Sequence, residues 1–93
     1  MSLRPRLPAD LEAVRSLLAA SGLPADNLGA TRGWVALRED RLVGHVALEE
    51  ASDGVILQAL AVAAEARGTG LGRRLLDRAE AALEGHPALA RTD

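Results

Sequence analysis

Residues 55–83 decide the fold, and they read VILQALAVAAEARGTGLGRRLLDRAEAAL. The first part, residues 55–63, is apolar apart from Gln58, which predicts a central strand buried on both faces. The last part, residues 70–83, has apolar residues three or four positions apart, which predicts an amphipathic helix. A turn rich in glycine joins the two. The stretch therefore predicts a strand, a glycine-rich turn and a helix, in that order.

The turn, residues 67–72, has the composition of a phosphate-binding loop. Backbone N–H groups at a helix start have no partner within the helix, and the helix dipole is positive there. Glycines lack the Cβ atoms that would keep phosphate oxygens away from those amides, and arginine side chains add positive charge. The glycines are Gly68, Gly70 and Gly72, and the arginines are Arg67, Arg73 and Arg74.

Three other interpretations of the glycines fit less well. A nucleoside triphosphate loop ends in Gly-Lys-Ser or Gly-Lys-Thr, and this chain contains no lysine. A dinucleotide fingerprint has Gly-x-Gly-x-x-Gly after the first strand, whereas the spacing here is Gly-x-Gly-x-Gly after the fourth predicted strand. Glycines that only form a tight turn are the remaining alternative, which the flanking arginines and the long apolar strand disfavour.

The preceding residues predict a helix, a loop and a hairpin. Apolar residues at helical spacing predict a helix over residues 10–21. Residues 23–33 contain proline, asparagine and glycine, so they predict a surface loop that borders a ligand site. Residues 34–38 and 42–49 alternate in polarity, which predicts two antiparallel strands.

The second strand of the hairpin has two predicted faces. Alternation puts Val43, His45 and Ala47 on one face and Leu42, Val46 and Leu48 on the other. At the start of the first strand, we expect Trp34 to pack its ring against a neighbouring helix rather than to stack on a ligand.

Length and composition limit the classes of protein. With 93 residues, the chain is expected to form one domain over residues 1–93. It has no cysteine, so disulfides and thiolate metal sites are excluded, and no metal site is expected. A net charge of −2 gives no general attraction for nucleic acid or an anionic membrane. Neither a spanning apolar run nor a secretory signal is found, so a cytoplasmic location is expected.

Residues 60–62, the turn and the following helix resemble the acetyl-CoA motif of the GNAT superfamily of N-acetyltransferases. The turn matches the family signature Arg/Gln-x-x-Gly-x-Gly/Ala. Residues 3–5 and 8–11 resemble the first strand and helix of the family, and residues 41–44 resemble the entry to its third strand. The resemblance covers nearly the whole chain. It implies an α/β fold with a mixed, mostly antiparallel sheet, in the order strand, helix, three strands, helix.

The resemblance also implies a binding mode for acetyl-CoA. In that mode the backbone of Leu60 and Val62 pairs with the pantetheine arm like an added strand, and the Leu60 N–H faces the thioester carbonyl. The amides of the turn hold the pyrophosphate. The implied cofactor-binding residues are Leu60, Ala61, Val62, Arg67, Gly68, Thr69, Gly70, Leu71, Gly72 and Arg73. Residues 23–26 are weakly similar to a branch associated with arsenic resistance, which names no acceptor.

The catalytic groups of the family match less completely. In the family, a fifth strand, a helix and a final hairpin follow, and residues 86–93 are too few for them. The general acid on that helix is a tyrosine or sometimes a cysteine, and this chain has neither. Ile56 stands where the histone-acetylating branch has a glutamate base. Candidate bases are His45, Glu49 and Glu50, although a sheet histidine and solvated strand-end carboxylates are the ordinary roles of such residues.

The resemblance implies an N-acetyltransferase, and we expect it to act on the amine of a small molecule. The alternative is a catalytically incomplete acyl-CoA-binding or interaction module whose cleft needs a second chain. In either case the apolar strand, residues 55–63, would expose an edge prone to aggregation, so a homodimer or another partner chain is expected to cover it.

Overall fold

The computed structural model describes residues 2–25, 28, 31–51 and 54–82. Within these residues, four strands and two helices follow one another, with a short 3-10 turn ahead of each helix. In chain order they are β1 (Ser2–Pro5), the turn Pro8–Asp10, α1 (Leu11–Ala20), β2 (Arg32–Arg38), β3 (Arg41–Ala51), β4 (Gly54–Val62), the turn Ala64–Ala66 and α2 (Leu71–Ala82). The strands pair antiparallel in the order β1-β2-β3-β4. The predicted α/β fold is confirmed.

The helices begin one residue later than the spacing predicts, and α1 also ends one residue earlier. The loop between α1 and β2 is shorter than predicted, because β2 already begins at Arg32. Residues 83–93, including the predicted helix end and the segment without a pattern, lie outside the described residues. No helix within the described residues is long and apolar enough to cross a membrane.

The two helices pack on opposite faces of the sheet, and each covers its own core. The α2 core joins Leu71, Leu75 and Ala79 to Trp34, Ala36, Val43, Val46, Leu48 and Ala66. The α1 core joins Val14, Leu17 and Leu18 to Leu28, Val35 and Ala61. Successive residues of β2 alternate between the cores, as a pleated strand requires. Trp34 is only 6% exposed, so its predicted packing role is confirmed.

The prediction that residues 55–63 form the central strand is wrong, because β4 lies at the edge of the described sheet. Its apolar run instead reflects cover on both faces. Leu57 and Val62 pack against the α2 core, whereas Ala59 packs against the α1 core. Polarity reports which faces of a strand are covered, and it carries no information about which edges are paired.

The predicted faces of Leu42 and Val43 are also wrong, because β3 contains a β-bulge. Ala36 pairs with Gly44, but Leu37 pairs with Leu42, which leaves Val43 as an extra residue on β3. Val43 therefore belongs to the α2 core, and Leu42 packs against the α1 core. An inserted residue shifts the side-chain alternation by one, and a period-two pattern cannot show where that happens.

Two charged residues form the tight turn of the β2–β3 hairpin. Glu39 has φ +51° and Asp40 has φ +65°, and Arg38 pairs with Arg41 across them. Two residues in the left-handed region match the twist of a hairpin, which explains the turn despite the absence of glycine. Arg41 also forms an ion pair with Glu65 at 2.6 Å, which links the hairpin to the turn ahead of α2.

A bidentate ion pair fixes the connection between β1 and α1. The two guanidinium Nη atoms of Arg4 donate to the carboxylate of Asp10 at 2.7 and 3.0 Å. The same carboxylate accepts the backbone N–H of Leu7 at 2.7 Å. The hydrogen bond from Arg4 is the main cause that lowers the pKa of Asp10. These bonds hold the segment that carries Arg6, whose side chain reaches under the sheet.

Candidate active site

The glycine-rich turn has a backbone that favours glycine. Gly68 has φ +81° and Gly70 has φ +78°, in the left-handed region that costs about 1–2 kcal/mol for a residue with a Cβ atom. Apart from the glycine itself and its two neighbours in the chain, no heavy atom of the described residues lies within 4 Å of a Cβ built on either glycine. The turn is therefore open above both positions.

Most backbone amides of this turn have no acceptor within the described part of the chain; the exception is Arg67, whose N–H donates to the Ala64 carbonyl at 3.3 Å. The first amide near the start of α2 that finds one belongs to Arg74, which donates to the Gly70 carbonyl at 3.1 Å. The amides from Gly68 through Arg73 make no such bond there. A run of free amides at the positive end of a helix can bind an anion such as phosphate.

The end of β4 lies directly beside this turn. Arg67 Nε donates to the Val62 carbonyl at 3.2 Å. A Cβ built on Gly72 would lie 3.8 Å from Val62 Cγ2. The structure thus brings the two parts of the implied cofactor site together, the strand residues 60–62 and the turn residues 67–73.

The arginines of the turn are exposed and differently engaged. Arg67 is turned back onto β4 by its bond to Val62. Arg73 forms a surface ion pair with Asp77, with 3.4 Å between Nε and Oδ1 and with 82% of its side chain exposed. Pairs of this kind contribute about 0–1 kcal/mol, so Arg73 can leave Asp77 at little cost. The backbone amides are therefore able to bind an anion, and the arginines add positive charge around them.

A second β-bulge lies in β4, just ahead of the turn. His45 pairs with Ala61, but Ala47 pairs with Gln58, so Ala59 and Leu60 both lie opposite a single residue of β3. Ala59 has φ +54°, which is rare for a residue other than glycine. Leu60 is 37% exposed. The bulge therefore turns the backbone at the residue whose N–H is implied to face the thioester.

His45 lies fully buried beside this bulge. Its Nε2 accepts a hydrogen bond from Arg6 Nη1, and its Nδ1–H donates to the Ala59 carbonyl, both at 3.0 Å. A guanidinium only donates and a carbonyl only accepts, so these partners fix the neutral tautomer with its proton on Nδ1. Burial lowers the pKa of His45, the bond to Ala59 raises it by less, and the Arg6 charge lowers it further.

These contacts do not fit the candidate role of His45 as a general base. Its only lone pair already accepts from Arg6, and no solvent reaches the ring. A substrate amine would have to displace a buried guanidinium to be deprotonated there. His45 is therefore better understood as part of the scaffold under the bulge.

A cavity of about 330 Å³ opens next to the bulge, between the loop after α1 and the sheet. Its walls are mostly apolar, with a hydroxyl, an amide and one carboxylate among them. The lining residues are Leu23, Pro24, Leu28, Thr31, Ala47, Glu49, Gln58 and Ala59. The predicted loop 23–33 thus borders a cavity, and Ala59 belongs both to this cavity and to the bulge.

Glu49 is the only acidic or basic side chain among the described residues that line this cavity. Its Oε2 accepts a hydrogen bond from Gln58 Nε2 at 2.7 Å, across the β3–β4 pair. No hydrogen bond of the described residues reaches its Oε1. Glu49 therefore offers a positioned carboxylate with one oxygen to which no described residue donates. The backbone of Glu50 continues β3, and its side chain lies outside the described residues.

Sequence reasoning missed the residues that support this cavity. Arg6 Nη2 donates to the carbonyls of Leu28 and Thr31, each at 2.6 Å. Arg6 lies outside any periodic segment, and its partners are 22 to 39 residues away. Gln58 is the one residue of this group that the sequence could have indicated, because it is the single polar residue of an apolar strand.

A strand at the edge of the described sheet leads through a glycine-rich turn into a helix, beside a cavity, and the start of such a helix can bind the phosphate groups of a ligand. A family model described as an acetyltransferase (GNAT) domain matches residues 29–92. The chain belongs to this family, in which acetyl-CoA is the acetyl donor. The resemblance found in the sequence is confirmed at the level of the family.

Solved structures of the family share the fold. The ribosomal-protein-alanine N-acetyltransferase of Brucella melitensis is 18% identical, with a TM-score of 0.79 over 99% of this chain and 79% of that one. A GCN5-related N-acetyltransferase of Ralstonia eutropha is 20% identical, with a TM-score of 0.74 over 98% and 80%. A Mycobacterium tuberculosis protein in complex with CoA is 23% identical, with a TM-score of 0.76 over 91% and 58%. At these identities the likeness shows the fold.

No curated protein sequence matches the chain. The weak similarity of residues 23–26 to enzymes associated with arsenic resistance therefore stays a prediction.

The buried, neutral state of His45 predicts how stability depends on pH. The folded-state pKa lies below the usual 6.5, so the unfolded chain binds more protons between these two values. The contribution of His45 to stability is therefore complete above pH 6.5 and is lost as pH falls through the folded pKa. We expect His45→Asn to remove this loss, as measured by denaturant unfolding at pH values on both sides of 6.5.

The control for this experiment is Asp10→Asn. The pKa of Asp10 is lowered from 3.8, so its contribution is present above that value and is lost only at more acidic pH. The Asp10→Asn variant should keep the loss of stability that begins near pH 6.5. An unchanged pH profile in His45→Asn would contradict the assignment of a neutral buried imidazole.

Proposed function

We propose that this chain is a cytoplasmic N-acetyltransferase that passes an acetyl group from acetyl-CoA to the amine of a small molecule. The carrying observation is that the amides from Gly68 to Arg73 make no hydrogen bond within the described residues and lie next to the edge that β4 forms in the described sheet. The turn would hold the pyrophosphate, and the edge would pair with the pantetheine arm. This uses the residues that the sequence implied, namely Leu60, Ala61, Val62 and those of the turn.

The chemistry of the proposed site rests on two groups of the chain. Acetyl-CoA supplies an activated thioester when it is bound. The Leu60 N–H donates to the thioester oxygen and stabilises the negative charge that develops there. The Glu49 carboxylate accepts a proton from the attacking amine, directly or through a water molecule. The new C–N bond forms as the C–S bond breaks, and the coenzyme leaves as its thiolate.

The size and polarity of the cavity support a small amine as acceptor. Its volume of about 330 Å³ lies near the lower limit of small-molecule sites, which span about 300–1,000 Å³. Apolar walls suit a hydrocarbon body, and the single carboxylate of Glu49 suits an ammonium group. A peptide or protein tail would need a groove that continues beyond this cavity.

The first experiment is calorimetric titration with acetyl-CoA, followed by an assay of free CoA release with a panel of small primary amines. We expect binding, and release that depends on the amine. Glu49→Gln should lower turnover at least about tenfold, because an amide cannot accept the proton, and should leave acetyl-CoA affinity unchanged. Glu12→Gln removes the same charge from an exposed position on α1 and should have no effect.

The outcomes of this experiment are distinct. Absence of acetyl-CoA binding by the wild-type chain would contradict the proposed function. Wild-type turnover in Glu49→Gln would leave the function standing and reject the role of the carboxylate.

Gly70→Val tests the anion site. A valine side chain at this position would stand in the open space above the turn and obstruct the approach of a phosphate. We expect acetyl-CoA to bind more than about tenfold more weakly, which equals about 1.4 kcal/mol. The measurement is calorimetry on the folded variant.

The control for Gly70→Val is Gly22→Val, after α1. Gly22 has φ +73° and equally open surroundings among the described residues, so valine strains the backbone there in the same way. Both variants should lose similar thermal stability, but only Gly70→Val should lose affinity for acetyl-CoA. Equal affinities in the two variants would show that the turn is not the anion site.

The second candidate function is an acyl-CoA-binding module completed by a second chain. It is favoured by the position of β4 at the edge of the described sheet. The same edge supports a homodimer or another partner chain, because free strand edges recruit further strands. A dimeric mass in light scattering at micromolar concentration is expected, and a monomer would count against it. Binding of acetyl-CoA without turnover would favour this second function.

A further inference from the structure

A chain of hydrogen bonds runs beneath the sheet, across all four strands. It begins at Arg6, which follows β1 and whose backbone N–H donates to the Gly33 carbonyl in β2 at 2.7 Å. The Arg6 side chain then bonds to His45 in β3, and His45 bonds to Ala59 in β4. Each contact joins a different pair of elements. None of these four residues belongs to the phosphate-binding turn.

Gly33 leaves the space for this chain. A Cβ built on Gly33 would lie 2.8 Å from Arg6 Nη1 and 3.1 Å from His45 Nε2. The backbone of Gly33 has no positive φ, so conformation alone does not require glycine there. Close approach does, because the bond between Arg6 and His45 occupies the position of a side chain. The sequence therefore has glycine where the network needs room.

The bond from His45 acts on one peptide unit. The carbonyl of Ala59 and the N–H of Leu60 belong to the same planar trans peptide, so the two groups point in opposite directions. Because the bond to His45 holds the Ala59 carbonyl toward the buried imidazole, the Leu60 N–H must point away from the imidazole. Ala59 is held at φ +54°, and such conformations persist only when the surroundings hold them in place.

We propose that His45 is a positioning residue whose Nδ1–H holds the Ala59–Leu60 peptide so that the Leu60 N–H is aimed at the acyl oxygen, and that Arg6 ties the same imidazole to the acceptor cavity. This inference rests on the proposed function. It gives the buried histidine a role in acyl recognition without any proton transfer.

The second part of the inference concerns the wall of the cavity. Besides its bonds to the Leu28 and Thr31 carbonyls, Arg6 Nη2 donates to the Thr31 hydroxyl at 3.1 Å. Leu28 and Thr31 line one side of the cavity, and Ala59 lines the other. Arg6 and His45 therefore connect the two walls. If the loop shifted around an acceptor, these bonds would transmit the shift to the Ala59–Leu60 peptide, which binds the acyl group.

The test uses two substitutions of His45 that separate its two bonds. The amide of asparagine can place a donor near the position of Nδ1, whereas the amide of glutamine can place an acceptor near that of Nε2. His45→Asn thus keeps the bond to Ala59 and loses the bond to Arg6, and His45→Gln does the reverse. Calorimetry then measures the affinities of wild type and both variants for acetyl-CoA and for CoA without an acetyl group.

We expect His45→Gln to shift the ratio of the two affinities toward CoA by about fivefold, the value of one hydrogen bond. Affinity for CoA itself should be retained, which also shows that the variant is folded. His45→Asn should keep the wild-type ratio. A merely structural role would weaken both ligands together and would not be rescued by asparagine.

A measurement on the wild-type chain needs no variant. Long-range proton–nitrogen NMR spectra of the imidazole should show His45 with its proton on Nδ1, and the opposite tautomer would overturn the inference. A wild-type ratio in folded His45→Gln would also overturn it, with the proposed function intact. If wild type bound neither ligand, the proposed function would fail, and the inference with it.

Discussion

The hydrogen bond from the buried His45 imidazole to the Ala59 carbonyl is the constraint around which this molecule is arranged. It fixes a left-handed residue of β4 at the edge of the described sheet, where β3 is the one described strand that pairs with β4. A buried donor without an acceptor costs about 1–3 kcal/mol, so imidazole and carbonyl each hold the other in place. The bulge, the exposure of Leu60 and the place of Ala59 in the cavity wall all depend on the conformation of the Ala59–Leu60 peptide.

The other buried polar side-chain atoms under the sheet also have hydrogen-bond partners. No buried side-chain nitrogen or oxygen of the described residues lacks a hydrogen-bond partner. Arg6 achieves this by giving one nitrogen to His45 and the other to the loop carbonyls. Burial lowers the pKa of Arg6, although a guanidinium stays charged in any protein environment. The charge is thus spread over a neutral ring and three oxygens, with no carboxylate in contact.

The sequence was sufficient to predict the two helices, whose apolar residues recur at regular spacing, and the glycine-rich turn. Helical spacing located α1 and α2 to within a residue, and the glycine-rich turn that the sequence predicts lies directly before the start of α2. The sequence was insufficient wherever one extra residue interrupts the two-residue alternation of a strand. Val43 and Ala59 are both ordinary strand residues by composition, yet each sits in a bulge. Bulges depend on the register between strands, which is a property of pairs of segments that neither segment records alone.

The wrong prediction that β4 is a central strand bears most directly on function. A central strand has its N–H and C=O groups used on both sides, so it could not pair with the pantetheine arm of a coenzyme. An edge strand keeps one row of these groups free, and it is normally protected by charge or proline because free edges aggregate. β4 has neither kind of protection from residue 55 to residue 63. An apolar strand without this protection, at the edge of the described sheet, suits the proposed pairing with an extended ligand, and the bulge at Ala59 would then set the point along that edge where the reacting end of the ligand lies.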